Sequence, residues 1–244
     1  MGKVYIGTSG FSYSHWGKGI FYPRDLPQSQ WFDFYSQRFG TVELNVSFYR
    51  LPKKDTFVNW RKRVGKNFVF SIKGSRYLTH IKKLKEPQEA IKNFFENAQG
   101  IKNGQDIVLW QLPPRFKANK ERLAQFLKLL PQDWRYAFEF REESWLNKEI
   151  YQLLRKYQIA VVFQDYPQWP ITAEITASYV YLRFHGKTRL YSSCYTETEL
   201  KDWAKKIGYW RKEGLYVYAY FNNDALGYAV ENAQFLKKLC SKEK

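Results

Sequence analysis

Cysteine, histidine and acidic residues are scarce in this sequence, and each scarcity excludes a class of protein. Cys194 and Cys240 are the only cysteines. They lie far apart and form no CxxC pattern, which excludes a disulfide framework and a cysteine zinc site. A nucleophilic role for Cys194 would require a lowered thiol pKa. The three histidines, His15, His80 and His185, make no HxH or HExxH spacing. A divalent metal would therefore need a site assembled from separate strands, with Glu43, Glu139 and Asp165 as the carboxylates beside imidazole. No apolar run approaches the roughly 20 residues that span a bilayer. No charged-then-apolar leader precedes "KVYIG", and "MGKVYI" lacks the hydroxyl residue of a myristoylation signal. The expectation is a soluble, cytoplasmic protein with no membrane partner.

Phosphate-binding fingerprints are missing as well. No glycine-rich turn follows the first strand, and "HGKTRLY" has Tyr181 where a Walker loop needs glycine. "GTSG" is not a nucleophile elbow, so Ser9 has no assignable partner.

With 23 acidic residues against 40 lysines and arginines, the chain carries a net charge of +17. Such a surface attracts anions: nucleic acid, phosphorylated metabolites or acidic membranes. Hydrophobic residues make up 44% of the 244 positions and aromatics 19%, enough for a full core.

Strand-like and helical runs alternate along the chain. Strands are expected at "VYIGTSG", "TVELNVSFY", "FVFSIKG", "DIVLWQL", "RYAFEFR", "IAVVFQD", "SYVYLRFHG" and "LYVYAYFNN". Helices are expected between them, including one capped by Ser144 and one opened by the capping-box spacing of Thr196 and Glu199. Eight such units in about 250 residues predict an α/β fold, a single (β/α)8 TIM-barrel-like domain over 1–244. Its irregularity lies after strand six, where the helix is weak or missing. An open doubly wound sheet is the competing architecture.

Alternation assigns side chains to faces. In "AFEFREESW", Phe138 and Phe140 face helices, while Glu139 and Arg141 face the barrel interior and its rim. The same phase places Glu43, Asn45 and Ser47 together on strand two, Lys73 at the end of strand three and Gln111 at the end of strand four. It places Gln164 or Asp165 inward on strand six, Arg183 and His185 on strand seven, and Asn222, Asn223 and Asp224 after strand eight. Polar groups ending so many strands are expected to converge on one opening.

At "FEFREESW", "RFHG" and "YFNNDALGYAVENA", with "YIGTSGFSY" and "SRYLTH", the sequence resembles the YecE-like family, the domain of unknown function numbered 72. The resemblance runs from about Tyr5 to the last helix. It implies a TIM-barrel-like fold with a cleft at the carboxyl ends of the strands, but no established reaction. The family's barrel has been likened to that of metal-dependent apurinic endonucleases, an analogy that does not fix function. The motif residues carried onto this chain are Glu139, Arg141, Trp145, Arg183, His185, Gly186, Asn222, Asn223 and His80, with Glu143 an added carboxylate.

Several alternatives stay open on sequence alone. His185 is a general acid or base, or a histidine satisfied at a strand end. Glu43 and Glu139 form an acid–base pair as in glycoside hydrolysis, or each pairs with a cation, Lys73 or Arg141. Lys73 is a Schiff-base amine if desolvated. Arg76, Arg141 and Arg183 suggest an anion clamp, joined by Lys187 and Arg189 as phosphate contacts. Tyr13, Trp16, Phe21 and Tyr22 stack on bases or sugars, or pack as a lid. The cluster at Arg61 is expected on a solvated helix exterior, and that at Lys82 along an anionic track.

The leading expectation is an enzyme acting on a phosphate-bearing ligand. Arg141, Arg183, Lys73, Arg76, Lys187, Asn222, Asn223, Trp145, Tyr13 and Trp16 would bind it. His185, Glu139, Glu43, His80 and Asp165 would supply acid–base groups or metal ligands. A noncatalytic nucleic-acid-binding protein and a glycosidase or sugar-phosphate lyase are the alternatives.

Overall fold

The computed structural model describes residues 1–170 and 174–242. Its strands are β1 (Val4–Thr8), β2 (Thr41–Leu44), β3 (Val69–Lys73), β4 (Ile107–Gln111), β5 (Arg135–Glu139), β6 (Ala160–Asp165), β7 (Tyr179–Phe184) and β8 (Tyr216–Phe221). The helices are α1 (Trp31–Arg38), α2 (Val46–Tyr49), α3 (Lys54–Lys62), α4 (Gln88–Ala98), α5 (Lys120–Lys128), α6 (Lys148–Lys156), α7 (Glu197–Lys212) and α8 (Tyr228–Lys242). The sheet order β1-β8-β7-β6-β5-β4-β3-β2, with a parallel bridge Ser9↔Glu43 joining the first strand's end to β2, is that of a TIM-barrel-like (β/α)8 fold. Among the described residues no helix separates β6 from β7, as the sequence predicts.

The chain forms two compact units. One comprises Met1–Glu43, Phe163–Ala173 and Ser178–Lys244, the other Leu44–Val162 and Glu174–Ala177.

In the first unit, β8 pairs in parallel with both β1 and β7, Tyr220 lying level with Gly7 and Arg183. The buried Tyr35 hydroxyl satisfies this interior, bonding the Thr8 amide and hydroxyl and the Thr41 carbonyl. Helix α7 opens on the predicted capping box, Thr196 and Glu199 each bonding the other's backbone amide.

In the second unit, β3, β4 and β5 pair in parallel, with Lys73 level with Leu109 and Gln111 level with Glu139. Helices form where apolar residues recur at helical spacing: Ile91, Phe94, Phe95 and Ala98 on α4, and Leu123, Phe126 and Leu127 on α5. Phe138 packs edge-on against Phe126 of α5, the helix-facing side predicted for it. Gly74 follows β3 directly beneath the Trp110 ring, where a Cβ would stand 2.1 Å from a ring carbon, so only glycine lets the chain turn there.

Three local expectations change. Strand two stops at Leu44. Asn45 takes helical angles and α2 follows, so Asn45 and Ser47 do not continue the Glu43 face. The buried Ser47 hydroxyl instead donates to the Lys73 carbonyl, a tertiary bond that a continuing strand would not make. Ser144 does not cap a helix, because its hydroxyl accepts from the Ala118 amide. Helix α6 opens three residues later, where Asn147 caps the Ile150 amide. Of the cluster at Arg61, Lys62 and Arg63 are exposed as expected, but the Arg61 guanidinium turns inward, forking onto the buried Asp106 carboxylate at 2.8 and 2.9 Å and donating to the Phe68 and Ile101 carbonyls.

Candidate functional site

The structure gathers the candidate residues in two sets, one in each unit. In the second unit they cluster after β3 and β5. Glu139, fully buried at the end of β5, accepts from Gln111 Nε2 at 3.0 Å and is ion-paired with Arg141. The carboxylate is thus held by a cation two residues past the end of β5 and an amide at the end of β4.

Past Gly74 the backbone forms a π-turn over Tyr77–Ile81, closed by the Lys82 amide on the Tyr77 carbonyl at 2.8 Å. Such turns recur at functional sites because they displace one side chain from the regular helical path. Here it carries His80 into edge contact with Phe48 of α2, ring centroids 4.9 Å apart. Lys73 Nζ lies over the same ring, 4.4 Å from its centre, a cation–π contact. Phe48 is therefore a shared support for an ammonium and an imidazole.

Burial, followed by the charges of Lys73 and Arg76, lowers the His80 pKa to about 4 against a smaller opposing pull from Glu139. His80 is neutral at physiological pH, and its tautomer follows from the hydrogen bonds. The Thr79 hydroxyl donates to the Ser75 carbonyl at 3.1 Å. With its single proton committed there, it accepts at 2.9 Å from Nδ1–H of His80. The lone pair of the neutral ring is then on Nε2.

In the first unit the dominant feature is a buried ion pair. Glu43 and Arg183 are 0% and 1% exposed. Arg183 binds the carboxylate through two donors, Nη2 to Oε1 at 2.7 Å and Nε to Oε2 at 3.0 Å. The Tyr181 hydroxyl donates to Oε2 at 2.6 Å, and Ser9, which sequence left without a partner, donates to Oε1. Burial and the Glu43 charge push the Tyr181 hydroxyl pKa well up, so it stays a donor. Glu43 thus pairs with Arg183. Arg183 directs Nε and Nη2 to that pair, and Nη2 also donates to the Ser9 hydroxyl at 3.1 Å.

The remaining first-unit candidates are built into the structure around β6, β7 and β8. His185, fully buried, has Nδ1 3.2 Å from the Asn222 amide and aromatic contacts with Tyr166 and Tyr191. Asp165 accepts from Trp203 of α7 at 3.4 Å, so on β6 it is Gln164 that takes the opposite face. Burial raises the Asp165 pKa despite that donor. Lys187 is ion-paired with Glu199 at 3.2 Å. Asn223, expected to orient a ligand, is fully buried and donates to Ser193 O and Asn232 Oδ1, both at 2.9 Å. Gly186 has φ +93° and no room for a Cβ, so it shapes the turn after His185.

The two candidate tryptophans pack against aromatic neighbours. Trp145 lies buried with its ring stacked on Phe140 and its Nε1 donating to Phe116 O. Trp16 is buried too, donating to Asp224 Oδ1 at 3.0 Å, and Tyr22 stacks on Trp31 at 4.6 Å. Tyr13 donates to Ser9 O and packs on Trp16. The loop after β1 is therefore a packed cover, the second of its two alternatives, and its aromatic faces are used internally.

Among the described residues, no three His, Cys, Asp or Glu side chains come together as a metal cage. His15 meets one carboxylate, Asp224, at 3.0 Å, whose pKa burial lifts to about 6. Also among the described residues, no helix is long and apolar enough to cross a membrane.

Sequence reasoning missed Phe48, which lay inside a presumed strand, and Thr79, whose hydroxyl sets the His80 tautomer. It missed Asn232 as well, whose signal is present only as a polar residue on the buried side of α8.

Comparison with known proteins supplies the lineage. The family model described as "Protein of unknown function DUF72" matches residues 5–244. The UPF0759 protein YunF of Bacillus subtilis (strain 168) is 26% identical over 97% of this chain and 94% of its own length. A crystal structure of a DUF72 family protein from Thermotoga maritima MSB8 is 32% identical, covers 98% of this chain and 99% of that one, and has a TM-score of 0.88. A DUF72 structure from Enterococcus faecalis V583 shares the fold at 23% identity and a TM-score of 0.82, covering 99% of this chain and 98% of that one. The motifs, the topology and a match running nearly end to end agree: the chain belongs to the DUF72 family.

Proposed function

We propose that the protein binds a phosphate-bearing ligand beside the carboxyl end of β3 and acts on it as an enzyme, with His80 as the proton-transferring group. The observation that carries this reading is the packing of Lys73 and His80 on one Phe48 ring, with Arg76 close enough to depress the His80 pKa. Two cations supply charge-assisted hydrogen bonds to phosphate oxygens. Beside them stands an imidazole that remains neutral, with its free lone pair on Nε2. That is the protonation state a general base requires at neutral pH, and the negative charge of a bound phosphate would raise the proton affinity of the ring towards the working range. In a phosphoester displacement the cations would balance charge developing on the phosphoryl oxygens. Nε2 would take the proton of the attacking hydroxyl or water and return it to the leaving oxygen.

The glycosidase alternative needs two working carboxylates. Glu43 and Glu139 are each bound to a guanidinium, an arrangement that favours the ion-pair role for both.

Calorimetric titration with inorganic phosphate tests the binding half of the proposal. One charge-assisted hydrogen bond contributes about 1.5–3 kcal/mol. Arg76→Ala is therefore expected to weaken phosphate binding by roughly 10- to 150-fold. Equal affinity in the variant, or no binding by the unaltered protein, would remove the reading's foundation.

A further inference from the structure

The largest exposed apolar side chains of the second unit are not scattered. Val46 and Tyr49 lie on α2, exposed by 45% and 79%. Tyr77 and Ile81 begin and end the π-turn, exposed by 47% and 60%. The two elements touch through Phe48 and His80. Tyr49 stands edge-to-face on Phe48 at 5.0 Å, so a chain of rings leads from the exposed Tyr49 through Phe48 to His80. Nothing inside the second unit needs an apolar surface in water, and such patches mark contact sites.

The charge around the patch selects its occupant. Residues 46–54 and 73–86 hold eight lysines and arginines against one carboxylate, Glu86, which is 3.4 Å from Lys82. Arg50, Arg76, Lys83 and Lys85 are exposed. Exposed tyrosine faces set among cations match a partner that alternates flat π surfaces with negative charges. An acidic peptide offers the charge without the flat surfaces. A duplex has both, but its bases already stack on one another. An unpaired nucleic-acid strand offers bases for the rings and phosphates for the cations.

We propose that Tyr49 and Tyr77 form a base-stacking platform for single-stranded nucleic acid, which passes a backbone phosphate to Lys73 and Arg76. The inference rests on the phosphate-binding reading above and names its substrate class. Stacking on tyrosine is indifferent to base identity, so binding depends little on sequence. Contacts to several phosphates make it strongly salt-dependent.

The test is fluorescence anisotropy with a labelled oligo-dT of about 12 nucleotides, within the span of known single-strand sites. Tyr49→Ala and Tyr77→Ala are each expected to weaken binding by about 5- to 150-fold, while Tyr49→Phe, which keeps a ring, stays near the unaltered protein. Both alanine variants are expected to bind inorganic phosphate as before, because Lys73 and Arg76 are intact. A paired duplex of the same length is expected to bind more weakly than the single strand. Oligo-dT binding unchanged in both alanine variants overturns the platform. So does a preference for polyglutamate or anionic vesicles over oligo-dT. If phosphate binds in an Arg76-dependent way and oligo-dT does not, the platform falls and the phosphate reading stands. If oligo-dT binds through the tyrosines and phosphate shows no Arg76-dependent binding, the phosphate reading falls, and with it the hand-over of a phosphate to Lys73 and Arg76, while base stacking on Tyr49 and Tyr77 stands.

Discussion

Methionine in place of Arg183 is expected to lower the unfolding free energy by about 3–5 kcal/mol. Arg183 and Glu43 are almost entirely out of water, and the guanidinium occupies both carboxylate oxygens. Removing it takes the guanidinium from a buried carboxylate and leaves the hydroxyls of Tyr181 and Ser9 among its donors. Those charge-assisted bonds, about 1.5–3 kcal/mol each, are made with or without Arg183, so they do not replace the lost counter-charge of an ion whose desolvation costs several kcal/mol. Against a total stability of about 5–15 kcal/mol for a globular protein, the loss is large. Changing both partners, Glu43→Leu with Arg183→Met, removes both charges. It is expected to restore most of the stability, short of the two hydroxyl bonds that lose their acceptor. Urea unfolding of the single and double variants measures both quantities. A single variant within about 1 kcal/mol of the unaltered protein would mean that the pair is solvated in solution and is no internal brace.

The second large effect concerns rate. Substituting His80→Gln preserves the approximate size of the side chain and removes the base. A positioned general base contributes about 10²- to 10⁴-fold, so turnover of a phosphoester such as bis(p-nitrophenyl) phosphate is expected to fall by that factor. Phosphate affinity changes little in this variant, because Lys73 and Arg76 remain. The sign of the pH dependence follows from the lowered pKa. The working form is neutral His80, which is present above its pKa of about 4 and protonated below it. The kcat/KM profile, which reports the free protein, is therefore expected to stay flat from neutral pH down towards 5 and to decline near 4. A free histidine, with an ordinary pKa near 6.5, would already lose activity at mildly acidic pH. A profile breaking near 6.5, or full activity in His80→Gln, would take His80 out of the chemistry.

How far the sequence revealed all this depends on the range of the interaction. The alternation of "AFEFR" places Phe138 against α5 and Glu139 beside Gln111, because strand periodicity is a local property. The Thr196 capping box is local too, and is read directly. Glu43 and Arg183 are 140 positions apart. Their pairing is set by which strands the sheet brings together, which no spacing records. "NVSFY" alternates and is rich in β-formers, yet it turns helical after Asn45, where the Ser47 hydroxyl reaches the Lys73 carbonyl. That one turn puts Phe48 under Lys73 and His80, so the error in local structure concealed the support of the proposed site. The aromatic loop after β1 stayed between two readings for the opposite reason. Composition records that Trp16 and Tyr22 are present, but not that they are consumed in packing on one another and on Trp31.

A crystal structure of the protein grown with inorganic phosphate tests the central claim most directly. The account predicts a phosphate within hydrogen-bond distance of Lys73 Nζ and the Arg76 guanidinium, facing the Nε2 edge of His80. Phosphate bound elsewhere on the molecule, with none between those two cations at saturating concentration, would contradict it.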